Sequence, residues 1–435
     1  MEAKASGSSG WRTLVICLLV GLVVRVLALA VFAPVTGPHG DEGYYLQMAE
    51  SIYAGEGHPG AFRAPGYPAF IAGVKHILGT ELDGIRWVQI AISMLMIAGV
   101  FHIVRLRFGT RAALISGLAC ALSPELVHYT HFLWSEGLTA ALAVGIFMLL
   151  DRYDRREETW VLALAGLALG ITGLVRETFA LFTAFVILWI LWRDRERLGK
   201  ALGRAAILGL CTASVILPWT ARNYQLHDTF VLISTCRWFP IALGNLALSD
   251  APDDEAETTA QQHRQKQKAA NRPGSWTGRK KLGEVEAEEH WKRIALKSIA
   301  SEQPTWFFKK LRLNTPKLFS LRSQTTRFLR NEWLVTSTPR AHALIATDTL
   351  FYLLTMTLGL ASLWLVRGGR LHILVVALCL FTYLIYMAAN ATPRFLVPLL
   401  PLLLLYTGPL LAPSRSDPPA PPCRSGASSA PRSRS

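Results

Sequence analysis

Residues His39 to Phe70 read HGDEGYYLQMAESIYAGEGHPGAFRAPGYPAF. The stretch follows an apolar run from Trp11 to Phe32, long enough to cross a bilayer as one helix. An Asp-Glu pair, several aromatic residues, one arginine and a Pro-Gly-Tyr-Pro turn then come before the next apolar run, which begins near Ile85. A polar segment held between two apolar ones is a loop at a membrane surface. The run before it has no small-residue cleavage site and reads as a retained anchor.

Composition extends that reading to the whole chain. Of 435 residues, 51% are hydrophobic and only 17% charged, a balance that suits a polytopic membrane protein and not a soluble domain. The formal net charge is +15, but the basic residues stand in short clusters between apolar runs and in the C-terminal tail. That distribution excludes a nucleic-acid partner and favours lipid surfaces or phosphates. Four of the six cysteines lie inside apolar runs, and no disulfide framework or metal-ligand spacing emerges.

Further spans are expected at Ile85–Val104, Ala112–Val127, Phe132–Leu150, Trp160–Leu174, Phe179–Leu191, Ala205–Trp219, Leu350–Val366, Ile373–Ala389 and Phe395–Leu411, about ten in all. If they alternate, the clusters RLRFGTR (Arg105–Arg111), DRYDRR (Asp151–Arg156), RDRERLGKALGR (Arg193–Arg204), RGGR (Arg367–Arg370) and the arginine-rich tail share one side, which the positive-inside rule makes cytoplasmic. The opposite side receives a first loop over residues 33–84, the hairpin SPELVHYTHFLWSEG, the turn LVRETF, a large loop over 221–347 and the turn NATPRF. Polar and ionisable groups gathered at one mouth of a bundle mark a site there.

Within the large loop, residues 249–281 are of low complexity and read as a linker. Beyond them, Val285, Trp291, Ile294, Ala295, Leu296 and Ile299 recur at helical spacing, which predicts an amphipathic helix. The following PTWFFKKLRLNTPKLFSLRS mixes aromatic and basic residues, as suits a segment on lipid headgroups or a solvated helix with a packing stripe. One transmembrane domain over residues 1–411 is expected, and the Pro- and Ser-rich residues 412–435 read as a disordered cytoplasmic tail.

Asp41 and Glu42 open a short helical pattern carrying Tyr44, Tyr45, Met48 and Ile52. A carboxylate there has two readings: a cap for free backbone N–H groups, or a general base at the mouth of the bundle. The stretches DEGYYLQMAESIYAGEG, FRAPGYPAF, SPELVHYTHFLWSEGLTA, GLVRETFAL, PWTARNYQLHDTFVLISTCRWFPIALGN and ATPRFLVPLLPLLLL, in this order and with this sidedness, resemble the GT-C membrane glycosyltransferases. Within them the likeness is to the dolichyl-phosphate-mannose-protein mannosyltransferase and lipid A aminoarabinose transferase superfamily. It implies an all-α, GT-C-like bundle in a bacterial inner membrane, moving a sugar from a polyprenyl-phosphate donor to an extracytoplasmic acceptor, whether protein, cell-wall glycan or glycolipid. The family's acidic pair falls on Asp41 as base, with Glu42 assisting.

The resemblance also implies arginines that hold the carrier phosphate. Arg63 and Arg222 rank first, ahead of Arg176 and Arg394, for which pairing with Glu177 or anchoring of helix ends is the other reading. Tyr44, Tyr67, Glu136 and Asn223 are the candidate substrate contacts. The aminoarabinose transferases carry a Glu-Lys-Pro-Pro sequence where this chain has FRAPGYP, so an acid is missing at that turn. Glu136 either supplies it or caps its own helix. His39 with Asp41, and His128 with His131, would be the ligands of a divalent ion, but their spacing is not that of a metal site, and none is expected to be required. The rival function is a transporter or lipid flippase, which would show repeated halves and helices broken near the midplane.

Overall fold

The computed structural model describes residues 2–32, 41–79, 82–246, 283–320, 323, 325, 326, 339–366 and 369–412. His39, the low-complexity insert and the tail lie outside the described residues. Each of the ten expected spans coincides with a helix: α1 (Glu2–Phe32), α4 (Leu82–Phe108), α5 (Thr110–Leu122), α7 (Ser135–Arg156), α8 (Thr159–Val175), α9 (Thr178–Arg193), α10 (Leu198–His227), α14 (Pro339–Leu365), α15 (Gly369–Ala388) and α16 (Leu400–Leu411). A 3₁₀ turn over Pro393–Leu399 leads into the last. Between these lie α2 (Glu42–Tyr53), α3 (Gly66–Leu78), α6 (Pro124–His128), α11 (Trp238–Leu246), α12 (Glu284–Ser301) and α13 (Trp306–Leu318). The protein is a multi-pass, all-helical membrane protein, with six helical stretches long and apolar enough to cross a bilayer among the described residues.

One expected span is shorter than its apolar run. The run to Val127 breaks at Ser123-Pro124, because proline cannot continue the helix that precedes it, and α5 stops at Leu122. The break leaves α5's last carbonyls without partners in an apolar setting, where an unmet polar group is costly. Arg25, fully buried on α1, meets this need: its Nη1 donates to Ala121 O (2.8 Å) and its Nε to Ser93 Oγ (2.9 Å). α6 and the bend behind it then turn the chain toward α7.

Close helix crossings depend on small residues. Gly166 and Gly170, one turn apart on α8, lie so near α10 that an added Cβ would sit 2.4 Å from Leu208 O and 2.8 Å from Thr212 O. Thr212 Oγ1 donates to Gly166 O across the contact. This is the small-xxx-small packing that holds helices together where lipid offers no hydrophobic drive. α16 is the most enclosed element, with every residue from Leu400 to Pro409 buried.

The helices of the two large loops have different footings. α12 forms where the periodic pattern predicts, with Trp291 and Ala295 buried against Ala242 and Phe239 of α11. α2 and α3 pack on each other through Tyr45, Ala49, Tyr67 and Ile71. α3 was not expected from the sequence. Its stretch GYPAFIAGVKHIL has the 3.6-residue pattern, but the Pro-Gly-Tyr-Pro turn reads more readily as a stop than as the helix start that it is.

Candidate active site

Five charged side chains from four separated parts of the chain join in a row. Arg63 Nη2 donates to Asp41 Oδ1 at 2.9 Å, and Arg394 Nη2 to Asp41 Oδ2 at 2.7 Å. Arg394 Nε lies 3.0 Å from Glu136 Oε1, and Arg176 Nη1 3.1 Å from the same oxygen. Arg176 then reaches Tyr386, whose hydroxyl accepts from Nε (3.2 Å) and Nη2 (3.0 Å). The order is Arg63, Asp41, Arg394, Glu136, Arg176, Tyr386. Three arginines face two carboxylates, an excess of one positive charge. Aromatic faces back the guanidiniums: Trp134 lies 4.6 Å from Arg394, Phe395 5.4 Å from Arg176 and Tyr44 5.7 Å from Arg63.

Local structure sets each of these groups. Asp41 ends the segment entering α2 and Glu136 lies in the first turn of α7. Arg176 caps the C-terminal end of α8 and Arg394 lies in the 3₁₀ turn before α16. Asp41 occupies the N-cap position of α2 yet makes no side-chain capping bond there, and its backbone is helical. The capping reading therefore fails for this residue, because both oxygens are turned to arginines. Burial alone would raise the Asp41 carboxyl, but Arg63 and then Arg394 overcome it and hold the group well below the usual carboxylate range. Asp41 is an anion at any physiological pH and, so paired, a weak base.

The other candidates are placed as follows. Glu42 is buried and accepts the Leu133 backbone N–H at 2.6 Å, so it ties α2 to the hairpin that leads to Glu136. Tyr67, fully buried, donates to Gln89 Oε1 (2.7 Å), and Gln89 in turn donates to Thr130 O and Phe132 O of that hairpin. Tyr44 is half-buried against Phe62 and Arg63. Arg222 lies apart from the row: it holds the carbonyls of Gly60 (2.7 Å) and His58 and stacks on Trp219. Asn223 is fully buried and donates to Val231 O and Ile233 O in the bend after α10. Arg176 and Arg394, ranked below Arg222 from the sequence, are the ones that join the row with Arg63. Arg176 pairs with Glu136 and not with Glu177, which accepts from Ser234 Oγ and is pushed up by burial.

His131 is buried beside Thr130 and Arg86, and the His128 ring packs 4.0 Å from that of Phe132. No group of three His, Cys, Asp or Glu side chains suited to a metal gathers among the described residues. Sequence reading passed over two groups that touch the row. Trp134 stands in the quoted WSEG motif. Tyr386 ends an apolar run, where a tyrosine passes for an ordinary interface residue.

The family model of the dolichyl-phosphate-mannose-protein mannosyltransferases matches residues 58–219, a stretch that contains Arg63, Glu136 and Arg176. Among solved structures, the archaeal oligosaccharyltransferase AglB from Archaeoglobus fulgidus, in complex with an inhibitory peptide and a dolichol-phosphate, aligns with a TM-score of 0.55 at 14% identity over 93% of this chain. At that identity the likeness is one of fold, and the family model covers fewer than half of the 435 residues. The apo form of the Archaeoglobus enzyme gives the same TM-score and identity. The chain spans about half the length of that enzyme, with 50% of it covered. ArnT from Cupriavidus metallidurans, bound to undecaprenyl phosphate, is 16% identical and covers 92% of this chain and 78% of its own, at a TM-score of 0.44. No curated protein sequence matches the chain significantly.

Proposed function

We propose that this protein is an integral-membrane glycosyltransferase of the GT-C type that takes a sugar from a polyprenyl-phosphate carrier and passes it to an acceptor on the outer face of a bacterial inner membrane. One observation carries the reading: Asp41 held between Arg63 and Arg394 in a row with one surplus positive charge. A sugar phosphodiester brings one negative charge and neutralises that surplus. As the acceptor O–H attacks the anomeric carbon, Asp41 takes its proton while the bond from carbon to phosphate oxygen breaks. The electron pair stays on the departing phosphate, which becomes a monoester of charge about −1.5 to −2. With Asp41 protonated the row gains a second surplus charge, so site and leaving group balance again. Attack from the face opposite the phosphate inverts the anomeric centre.

The same contacts address the weakness of Asp41 as a base. Phosphate oxygens compete for Arg63 and Arg394, and every N–H they draw away raises the proton affinity of the carboxylate. The site becomes basic when its donor is seated. Arg63, Arg394 and Arg176 hold the phosphate, Glu136 keeps the latter two in place, and Glu42 acts through the hairpin it anchors. The acceptor remains among protein hydroxyls, cell-wall glycan and glycolipid.

The test uses purified protein in nanodiscs supplied with a panel of undecaprenyl-phosphate sugars and the three acceptor classes, with release of undecaprenyl phosphate followed by mass spectrometry. The parent should release it with at least one donor and acceptor, and Asp41→Asn should lower the rate by roughly 100-fold or more at unchanged extracted yield. Near-parental release by Asp41→Asn would overturn the assignment of the base.

A further inference from the structure

Helix α13 is built the wrong way round for water. Its buried stripe is Lys310, Asn314 and Leu318, while Phe308 is 69% exposed and Phe307 and Leu311 lie open beside it. A helix at a water surface buries its apolar residues and shows its polar ones. The inward polar groups are satisfied: Lys310 Nζ donates to Gly244 O (2.9 Å) and Ala389 O (3.0 Å), and Asn314 Nδ2 to Met387 O (2.8 Å) and Ala389 O (2.9 Å). The outward face has no protein cover among the described residues; exposed Arg312 lies on it, and exposed Lys317 flanks the buried stripe two turns beyond Lys310.

The helix that α13 clamps shows what lies outside. α15 exposes Ile373, Leu380 and Leu384, a stripe that faces lipid along a membrane span. That stripe runs toward Met387 and Ala389, the carbonyls α13 holds, so the apolar face of α13 continues a lipid-facing surface at its polar end. Aromatic residues mixed with arginine and lysine are the composition of an interfacial helix.

We infer that α13 is an in-plane anchor lying in the lipid headgroup zone at the Asp41 end of the bundle, with Phe308 and Leu311 in the acyl boundary and Arg312 and Lys317 on lipid phosphates. The inference stands on packing and does not depend on the transferase reading. It adds a role for Lys310 and Asn314 as positioning residues: they join this anchor to the chain five to seven residues before Arg394, so that the depth of the membrane surface bears on where that arginine sits.

Spin labels on a full-length chain with its six cysteines replaced by alanine, reconstituted in phospholipid nanodiscs, measure this directly. A label at Phe308→Cys should be relaxed more by oxygen than by a water-soluble nickel chelate, and one at the exposed Gln303→Cys the reverse. Adding R312E and K317E should move the Phe308 label toward nickel accessibility. Nickel accessibility at Phe308 in the otherwise unaltered chain would overturn the anchor, as would exclusion of both reagents, which means a protein partner. An unmoved label in the charge-reversed chain would remove the phosphate contacts. In the chain with native cysteines, a photoreactive benzoylphenylalanine at position 308 should capture phospholipid, and capture of protein alone would also defeat the proposal.

Discussion

At one end of the bundle, four arginines meet four acids. Arg107 pairs with Asp151 and Asp154, Arg155 with Asp151, Arg193 with Asp154, Asp194 and Glu157, and Arg204 with Asp194 and Glu157. At the other end, Arg63, Arg394 and Arg176 meet Asp41 and Glu136. The two networks share α7, which carries Glu136 in its first turn and Asp151 fifteen residues on, about 22 Å along the axis. Both are largely shielded from water and use the same residue types, and they differ in balance. The closed network leaves no charge for a ligand to meet, so its role is to lock the ends of α4, α7, α9 and α10 together. The open network keeps a cation in surplus at a place where surplus charge is costly, which is the mark of a site whose partner arrives from outside.

Removing a member from each end sharpens this contrast. The largest effect is expected for Arg394→Ala, which should lower sugar transfer by about 100- to 1000-fold, as for the loss of one preorganised donor to a developing anion. Lysine at 394 should restore only part, because it cannot serve Asp41 and Glu136 together. Release of undecaprenyl phosphate at saturating donor reads this out. A parental rate in Arg394→Ala would erase the distinction between the two ends.

Asp151→Asn tests the balanced end. Asp151 is 1% exposed and carries two arginines, so removing its charge should cost about 3–5 kcal/mol of stability, the scale for breaking a buried pair. Thermal unfolding in detergent should show the loss, while transfer per folded molecule stays near the parent. A selective fall in donor use, with stability intact, would mean that the balanced network is part of the site.

Arg222→Ala separates proximity from chemistry at the Asp41 end. This arginine supports the loop carbonyls of Gly60 and His58 and touches neither acid of the row, so its removal should cost about 1.5–3 kcal/mol in stability. Donor and acceptor use should change alike. A selective effect on donor affinity would return Arg222 to the phosphate site and widen the row.

The smallest effect concerns α12, which closes over the first loop. Glu284 accepts the Ala61 backbone N–H at 2.6 Å, and Glu288, one turn on, accepts from Arg237 Nε (3.3 Å) and Trp238 N (3.4 Å). Burial pushes Glu288 up to about 7, although the Trp238 N–H and Arg237 pull the other way and Glu177 adds to the rise. A carboxyl raised on folding favours the folded form below its unfolded value and loses that advantage as pH climbs through the folded one. The parent should therefore lose thermal stability between pH 5 and pH 8, and Glu288→Gln should flatten that slope. Identical slopes in the two proteins would show that this helix is not held by a titrating contact.

The chain's own order marked the membrane helices and pointed to the candidate site. A run of some twenty apolar residues specifies a span through local hydrophobic length alone, so all ten helices were legible. So was the region of Asp41, since acids are not left beside a first span without a partner or a task. α3 and the break at Ser123-Pro124 were less legible, because proline marks a helix start and a helix stop with the same letter. What no window of sequence contains is the pairing. Asp41 and Arg394 are 353 residues apart, and Glu136 and Tyr386 compete with Glu177 and open lipid as partners for Arg176. Among the four candidate arginines, the sequence ranked Arg63 and Arg222 first. Which of them reach the carboxylates depends on how non-consecutive helices pack, and small residues such as Gly166 and Gly170 decide that packing by how closely two backbones can approach.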